Sequence, residues 1–280
     1  MLSETWALTV RELKKWVRTP PLLFISLFQP LAWLALFGSA FNPTNLVPSG
    51  APNADAIKQG ILTTTFGGAA NYITFLTGGM MCFIILFQTA FSGGSIVWDR
   101  RFGFLNKLLA APIPRSSIFL SKVWSSIIKA MIQAVIIFGL ALIIPDGLKL
   151  TSSFSAVDFA GIFFTMFLLG LAFSSLFTAL AVRITKWESL IAIVNLLNLP
   201  LLFTSSALLP IASMPQWLQN IANVNPISKA AEVARFLIIH GQLTQAQMTT
   251  TLRDWTYLGV LAVVFTLLGA WLSRIALRAQ

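Results

Sequence analysis

The chain has 280 residues, 56% of them hydrophobic and only 10% charged, with a formal charge of +10 and a mean hydropathy of +0.80. A water-soluble domain needs roughly 25–35% charged residues on its surface. The composition therefore excludes a soluble globular enzyme and points to an integral membrane protein of helical type.

The basic excess does not read as a nucleic-acid patch, because the Lys and Arg residues flank long apolar runs, where anionic lipid headgroups account for them. Cys82 is the only cysteine and lies inside an apolar run, so neither an internal disulfide nor a cysteine metal site can form. No cleavable signal is expected, since the first apolar run begins near Leu22 and is too long for an h-region.

Residues 1–19 come first. Trp6, Val10, Leu13 and Val17 recur at helical spacing, opposed by Arg11, Glu12, Lys14, Lys15 and Arg18. That pattern predicts an amphipathic helix lying along the membrane surface, ended by Thr19-Pro20-Pro21. Span 1 is expected at about 22–41, kinked at Pro30, and a polar external loop follows to about Gly68. No charge occurs from Gln59 to Trp98, and span 2 is placed at about 72–97. The next segment carries Arg100, Arg101, Lys107, Arg115 and Lys122. Span 3 follows at about 123–144, closed by Pro145-Asp146-Gly147, then span 4 at about 159–182. Arg183 and Lys186 form a short basic link to span 5, at about 190–209. Pro200, Pro210, Pro215 and Pro226 punctuate the uncharged stretch 189–228, which one straight helix cannot contain. We expect an external re-entrant or interfacial helix near 214–223, a second amphipathic one at 227–239, and span 6 at about 255–273. The whole reads as one all-α membrane domain, 1–280, with six spans. With the N-terminus inside, thirteen of the 19 basic residues fall in cytoplasmic segments, so both termini are expected there.

No acidic residue falls in the middle of an expected span, which counts against a proton-driven carrier. The sequence has no glycine loop ending in Gly-Lys-Ser/Thr, so it is not expected to hydrolyse ATP. Its single histidine, His240, has no zinc-protease or serine–histidine context. No catalytic residue and no metal site are assigned. A passive channel, an ion-coupled carrier or a membrane assembly factor are the competing classes.

The segment between spans 2 and 3 is the most informative. Phe104, Leu105, Leu108 and Leu109 form an apolar stripe at helical spacing, bounded by Gly103 and Pro112. A short surface helix with that stripe could plug into a groove on a soluble partner, or it could be a connector anchored to lipid by its basic residues. Within the spans, Gln29, Gln88, Asn195 and Asn198 are candidates for a substrate path. Interhelical hydrogen bonds, worth about 0.6–2 kcal/mol each, are the plainer use for them. Lys129, with Gln133 one turn deeper, is expected to snorkel toward headgroups, a substrate contact being the less favoured alternative.

The run Asp99-Arg100-x-x-Gly103-x-Leu105, with Pro112, resembles the first cytoplasmic loop of ABC-2-type exporter permeases, the group of daunorubicin-resistance, nodulation-factor and polysaccharide export permeases. Tyr72-Ile73-Thr74-Phe75-Leu76-x-x-Gly79 resembles that family's entry into span 2. Ser205–Pro210, Met214-Pro215-x-Trp217-Leu218 and Asn225-Pro226-Ile227-Ser228, with Arg235 beyond, resemble its connection from span 5 to span 6. Arg101 departs from the family's frequent Glu, and Ser206 from its common Gly.

The resemblance implies a half-transporter in a prokaryotic cytoplasmic membrane. A second permease chain, expected to be identical, and two separate ATP-binding subunits carrying ATP and Mg would complete it. Its cargo would be an amphipathic drug, lipid or lipid-linked saccharide moved outward; a dedicated polysaccharide or glycolipid exporter is the alternative. Asp99, Arg100, Arg101, Gly103, Leu105, Leu108, Leu109 and Pro112 would couple it to the ATPase. In that role Arg100 and Arg101 would meet acidic groups, and the leucines would supply apolar docking.

Overall fold

A computed structural model describes residues 2–40, 42–48, 50, 52–144, 146–241 and 245–276, without the side chains of residues 22, 23, 26, 39, 40, 245 and 246. Phe41, where span 1 was expected to end, and Pro145 of the expected turn lie outside the described residues. All regular structure among the described residues is helical.

The N-terminal helix α1 (Leu2–Val17) leads through Thr19 into α2 (Pro20–Ala40), which contains Pro30. The segment read as a polar loop holds a 3-10 turn at Pro43–Leu46 and a helix, α3 (Ala54–Thr65). Span 2, read as one run, is interrupted at Phe91–Gly93 and divides into α4 (Tyr72–Ala90) and α5 (Gly94–Arg101). A short α6 (Phe104–Ala110) precedes α7 (Arg115–Ile143) and α8 (Ala156–Arg183). Then come α9 (Trp187–Phe203), α10 (Gln216–Val224), α11 (Pro226–His240) and the long α12 (Gln245–Ala276).

Local chemistry fixes several ends. Asn71 accepts the Thr74 amide to cap α4, while its own amide donates to the Asp146 and Gly147 carbonyls of the α7–α8 turn. Ser155 and Asp158 form a reciprocal capping box at the start of α8. Asn225 caps α11 through the Ile227 amide and donates to Leu201 O at the end of α9.

By length and composition, four helical segments among the described residues can cross a membrane: Tyr72–Arg101, Arg115–Ile143, Ala156–Arg183 and Gln247–Ala276. Of these, the apolar part of Tyr72–Arg101 is 78% buried and that of Gln247–Ala276 only 22%. So α4 is the axis of the core, with α2, α7, α8 and α11 packed around it. By contrast α12 turns Val260, Val263, Leu267 and Trp271 outward, as a lipid-facing helix does. Close packing on α4 depends on Gly79. A Cβ there would stand 1.8 Å from the Ala207 carbonyl oxygen.

The two ends of the bundle differ. At one end Leu8 of α1, α6 and Ala276 of α12 share a small apolar cluster, and the Arg11 guanidinium of α1 lies 3.7 Å from the Phe104 ring centroid of α6. At the other lie α3, the α7–α8 turn and the α9–α11 connection, where Ser153 Oγ donates to His240 O.

Candidate coupling surface and interior cavity

Gly103 makes the corner between α5 and α6. Its φ of +69° is left-handed, a conformation that costs other residues roughly 1–2 kcal/mol. The turn points the apolar stripe of α6 inward. Leu105 is 1% exposed and Leu108 8%, packed with Ile96, Ile118 and Val182, while Leu109 adds partly buried surface. These leucines, expected to dock into a partner, pack into the base of the bundle in this chain. Facing outward instead are Arg101, Phe102, Asn106, Lys107 and Ala110, with Pro112 just beyond the helix.

Arg100 is committed inward as well. Its guanidinium donates to Ile184 O at 2.6 Å and Val182 O at 2.8 Å, satisfying the carbonyl end of α8. The expectation that it meets acids on a partner gives way to this role. Arg101 stays exposed, its guanidinium 5.7 Å from the Trp98 ring centroid.

Asp99 is buried in a charge cluster that no sequence spacing announced. Lys122 Nζ donates to Asp99 Oδ2 at 2.5 Å and to Glu12 Oε1 at 2.9 Å, and Arg11 approaches both carboxylates at 3.5 and 3.2 Å. Burial alone would raise the pKa of Glu12, but the Lys122 ammonium, with Lys129 and Lys15 adding to it, reverses that and holds it below the ordinary carboxylate value. The cluster joins α1, α5 and α7. Arg100 ties α8 to the same corner.

On the flank of the bundle, Gln29 of α2, Gln88 of α4 and Gln133 of α7 border one open cavity of about 420 Å³. Its remaining wall is Trp16, Ile25, Ile84, Phe87, Phe91 and Trp187. Apolar and aromatic walls with a few polar groups are the usual make-up of a small-molecule site. Gln133 belongs to this group although the sequence reading did not choose it; its place one turn from Lys129 was the available signal. Asn195 and Asn198 do not join it. Asn195 faces outward on α9, while Asn198 is 1% exposed and its amide has no hydrogen-bond partner among the described residues. Spacing put them on one face, but the exposed boundary of α9 runs between them.

At the other end Arg235 ties three segments together. Its Nε donates to Phe75 O at 2.9 Å, Nη1 to Ser206 O at 2.6 Å and Nη2 to Ala207 O at 2.5 Å, with the guanidinium 3.7 Å from the Phe75 ring centroid. This grip stops α9 at Phe203, six residues before the expected end of span 5. Ser205 Oγ donates to Leu202 O, and the Ser206 amide to Ser228 Oγ, so the chain reverses at Thr204–Ala207. Among the described residues no group of three His, Cys, Asp or Glu could hold a metal ion.

A helical membrane domain with a short surface helix exposed at one end and a lined cavity on its flank suits a transport permease. The chain belongs to the ABC-2 type transporter family, whose profile matches residues 3–239. It is 33% identical over 242 residues to a putative transport permease, ycf38, of Cyanophora paradoxa, covering 85% of this chain and 75% of that protein. The corresponding protein of Pyropia yezoensis is 35% identical over 85% of this chain and 74% of its own length. More distantly, the daunorubicin resistance ABC transporter permease protein DrrB1 of Streptomyces coeruleorubidus is 25% identical, over 65% of this chain and 64% of its own.

Proposed function

We propose that this chain is the membrane-embedded half of an ATP-driven exporter that moves an amphipathic drug, lipid or lipid-linked saccharide from the inner leaflet outward. In this reading it spans the membrane six times, through α2, the α4–α5 pair, α7, α8, α9 and α12. Both termini and α6 face the cytoplasm of a prokaryotic cell, and a second permease chain and two ATP-binding subunits carrying ATP and Mg complete the assembly. The ABC-2 family membership and the drug-resistance permease among the relatives support export of an amphiphile.

One observation carries the mechanical part. The elements that end on α6 also line the cavity: α4 continues through α5 and supplies Gln88, and α7, bonded to Asp99 through Lys122, supplies Gln133. A push on the exposed face of α6 is thereby delivered to the cavity walls. ATP acts on the spans only if one arrangement of the ATPases favours one arrangement of these helices. A cysteine at Lys107, at the centre of the outward face, tests the contact. The expected result is a disulfide or bifunctional cross-link to the ATP-binding subunit in membranes. Cross-linking from the periplasmic side alone contradicts the assignment.

A further inference from the structure

Between α8 and α12 the bundle surface holds another open cavity, of about 390 Å³, separate from the one the glutamines border. From α8 it is lined by Leu176, Ala179, Leu180 and Arg183. From α12 come Phe265, Leu268, Gly269 and Leu272, and Ile184 and Ile193 close the α9 side. Each of the two sets follows the i, i+3, i+4, i+7 spacing of a single helix face. The pair of stripes therefore forms a trough roughly 10 Å long along the helix axes. Its floor is where the helices touch: a Cβ on Gly269 would lie 3.3 Å from the Ala179 Cβ. Beyond Leu176 and Phe265, at the deep end, Ser175 Oγ and Thr266 Oγ1 share a hydrogen bond of 2.8 Å that pins α8 to α12.

Arg183 is the one polar side chain among the described residues that line the trough, and it stands at the other end. Helix α8 finishes with it; Val182 beside it and Ala276 of α12 share one apolar cluster, so both stripes run toward the α6 end. The Val182 and Ile184 carbonyls on either side of Arg183 are taken by Arg100. Arg183 itself is exposed, with no hydrogen bond or ion pair among the described residues. Lys186 in the α8–α9 link and Arg274 in the last turn of α12 are exposed near this end too, against one carboxylate, Glu188. Leu268 is 50% exposed, on the helix that turns its apolar surface outward, so the trough opens toward lipid. An occupant must be apolar along its length and anionic at one tip. A second copy of this chain fits poorly, because a two-fold contact would set this arginine-tipped face of a +10 protein against itself. A phospholipid with an anionic headgroup meets both demands: its phosphate lies where a span ends, and the guanidinium offers it paired N–H donors.

We propose that this trough is a binding site for an anionic phospholipid, with one acyl chain between the α8 and α12 stripes and the headgroup phosphate on Arg183. In the topology proposed above, that lipid belongs to the cytoplasmic leaflet. A chain seated there fills the gap between α8, α9 and α12, and so ties the least buried of the four long apolar helices to the bundle. A ligand that binds only this packed arrangement stabilises it. The site needs neither cargo nor an ATP-binding subunit. Its test reads no leaflet, so failure here leaves the proposed function standing.

The test uses the full chain in phosphatidylcholine nanodiscs doped with phosphatidylglycerol or phosphatidylcholine that carries a photoreactive diazirine at mid-chain. After illumination, labelled positions are mapped by mass spectrometry. The phosphatidylglycerol probe should label Leu176, Leu180, Phe265 and Leu268 of wild type about tenfold or more above the same positions of Arg183→Gln, with Arg183→Lys close to wild type. The phosphatidylcholine probe should label wild type and Arg183→Gln alike. Labelling of Val260 and Val263, on the outward face of α12, should be the same in all three proteins, which also shows that each is folded in the bilayer. Equal phosphatidylglycerol labelling of the trough in wild type and Arg183→Gln overturns the site. Labelling of the trough no heavier than that of Val260 and Val263 overturns it too, since that marks bulk lipid only. Loss of the label to inorganic phosphate at the probe's concentration contradicts a lipid occupant. So does a disulfide between two chains carrying Leu268→Cys, which would put a second copy in the trough.

Discussion

Lys122 Nζ lies 2.5 Å from Asp99 Oδ2, and this bond, between residues 23 positions apart, joins the helix before the α6 corner to the helix after it. Glu12 closes the cluster from α1 at 2.9 Å. Removing the ammonium leaves two carboxylates in a buried site. Lys122→Met should therefore destabilise the protein by about 3–5 kcal/mol, read by denaturant unfolding in micelles. Combining it with Glu12→Gln and Asp99→Asn should recover most of that loss. A single variant as stable as wild type would show that the cluster does not hold the corner.

Acid should loosen the same cluster. Glu12 has a folded pKa below its ordinary 4.5. Its contribution to stability is present above the unfolded pKa and is lost as pH falls through the folded one. We expect wild type to be more stable than Glu12→Gln at pH 6, with the gap closing as pH falls through the lowered Glu12 pKa. Melting temperatures of both proteins across that range supply the check. A gap that stays constant into acid contradicts the assignment.

The two faces of α6 should respond differently. Reversing the outward charges with Arg101→Glu and Lys107→Glu should weaken association with the ATP-binding subunit by about tenfold or more, leaving the melting temperature unchanged. Leu105→Ala should do the opposite, costing about 2–5 kcal/mol of stability while the folded fraction still binds the subunit. Co-purification and thermal unfolding of both variants separate the two.

At the other end, Gly79→Ala should disrupt the contact between α4 and the Ala207 carbonyl, costing about 1–3 kcal/mol or more. The expected sign is a loop at 204–210 newly open to protease. Gly60 provides the control, since a Cβ there meets nothing within 4 Å. Gly60→Ala in α3 should be neutral or stabilising by about 0.5–1 kcal/mol. Arg235→Lys should behave like Gly79→Ala, because an ammonium cannot reproduce the planar fork that reaches three carbonyls.

Hydropathy carried the helical class, because apolar runs without charges have few other homes than lipid. It could not set helix ends where side chains from distant helices intervene. Ser205 turns its hydroxyl onto Leu202 O and the Ala207 amide, and Arg235 and Ser228, more than twenty residues away, take the backbone groups that would have continued the helix. The apolar stripe of α6 was legible as a stripe, but its direction was not, since Leu105 faces whichever apolar surface lies nearer and that surface is built from α5, α7 and α8. Three glutamines on three helices could meet only once the packing of α2, α4 and α7 was known. The Asp99–Lys122 pair and the hold of Arg100 on the end of α8 were hidden from spacing for the same reason.

In the proposed mechanism this chain moves cargo only when an ATP-binding subunit acts on α6. Proteoliposomes holding the chain alone, or with its ATP-binding subunit, can be followed for ATP-dependent translocation of a fluorescent amphiphile. We predict no directional movement by the chain alone, and movement with the subunit that stops when ATP is replaced by a non-hydrolysable analogue. Directional transport by the isolated chain, or transport indifferent to hydrolysis, would contradict it.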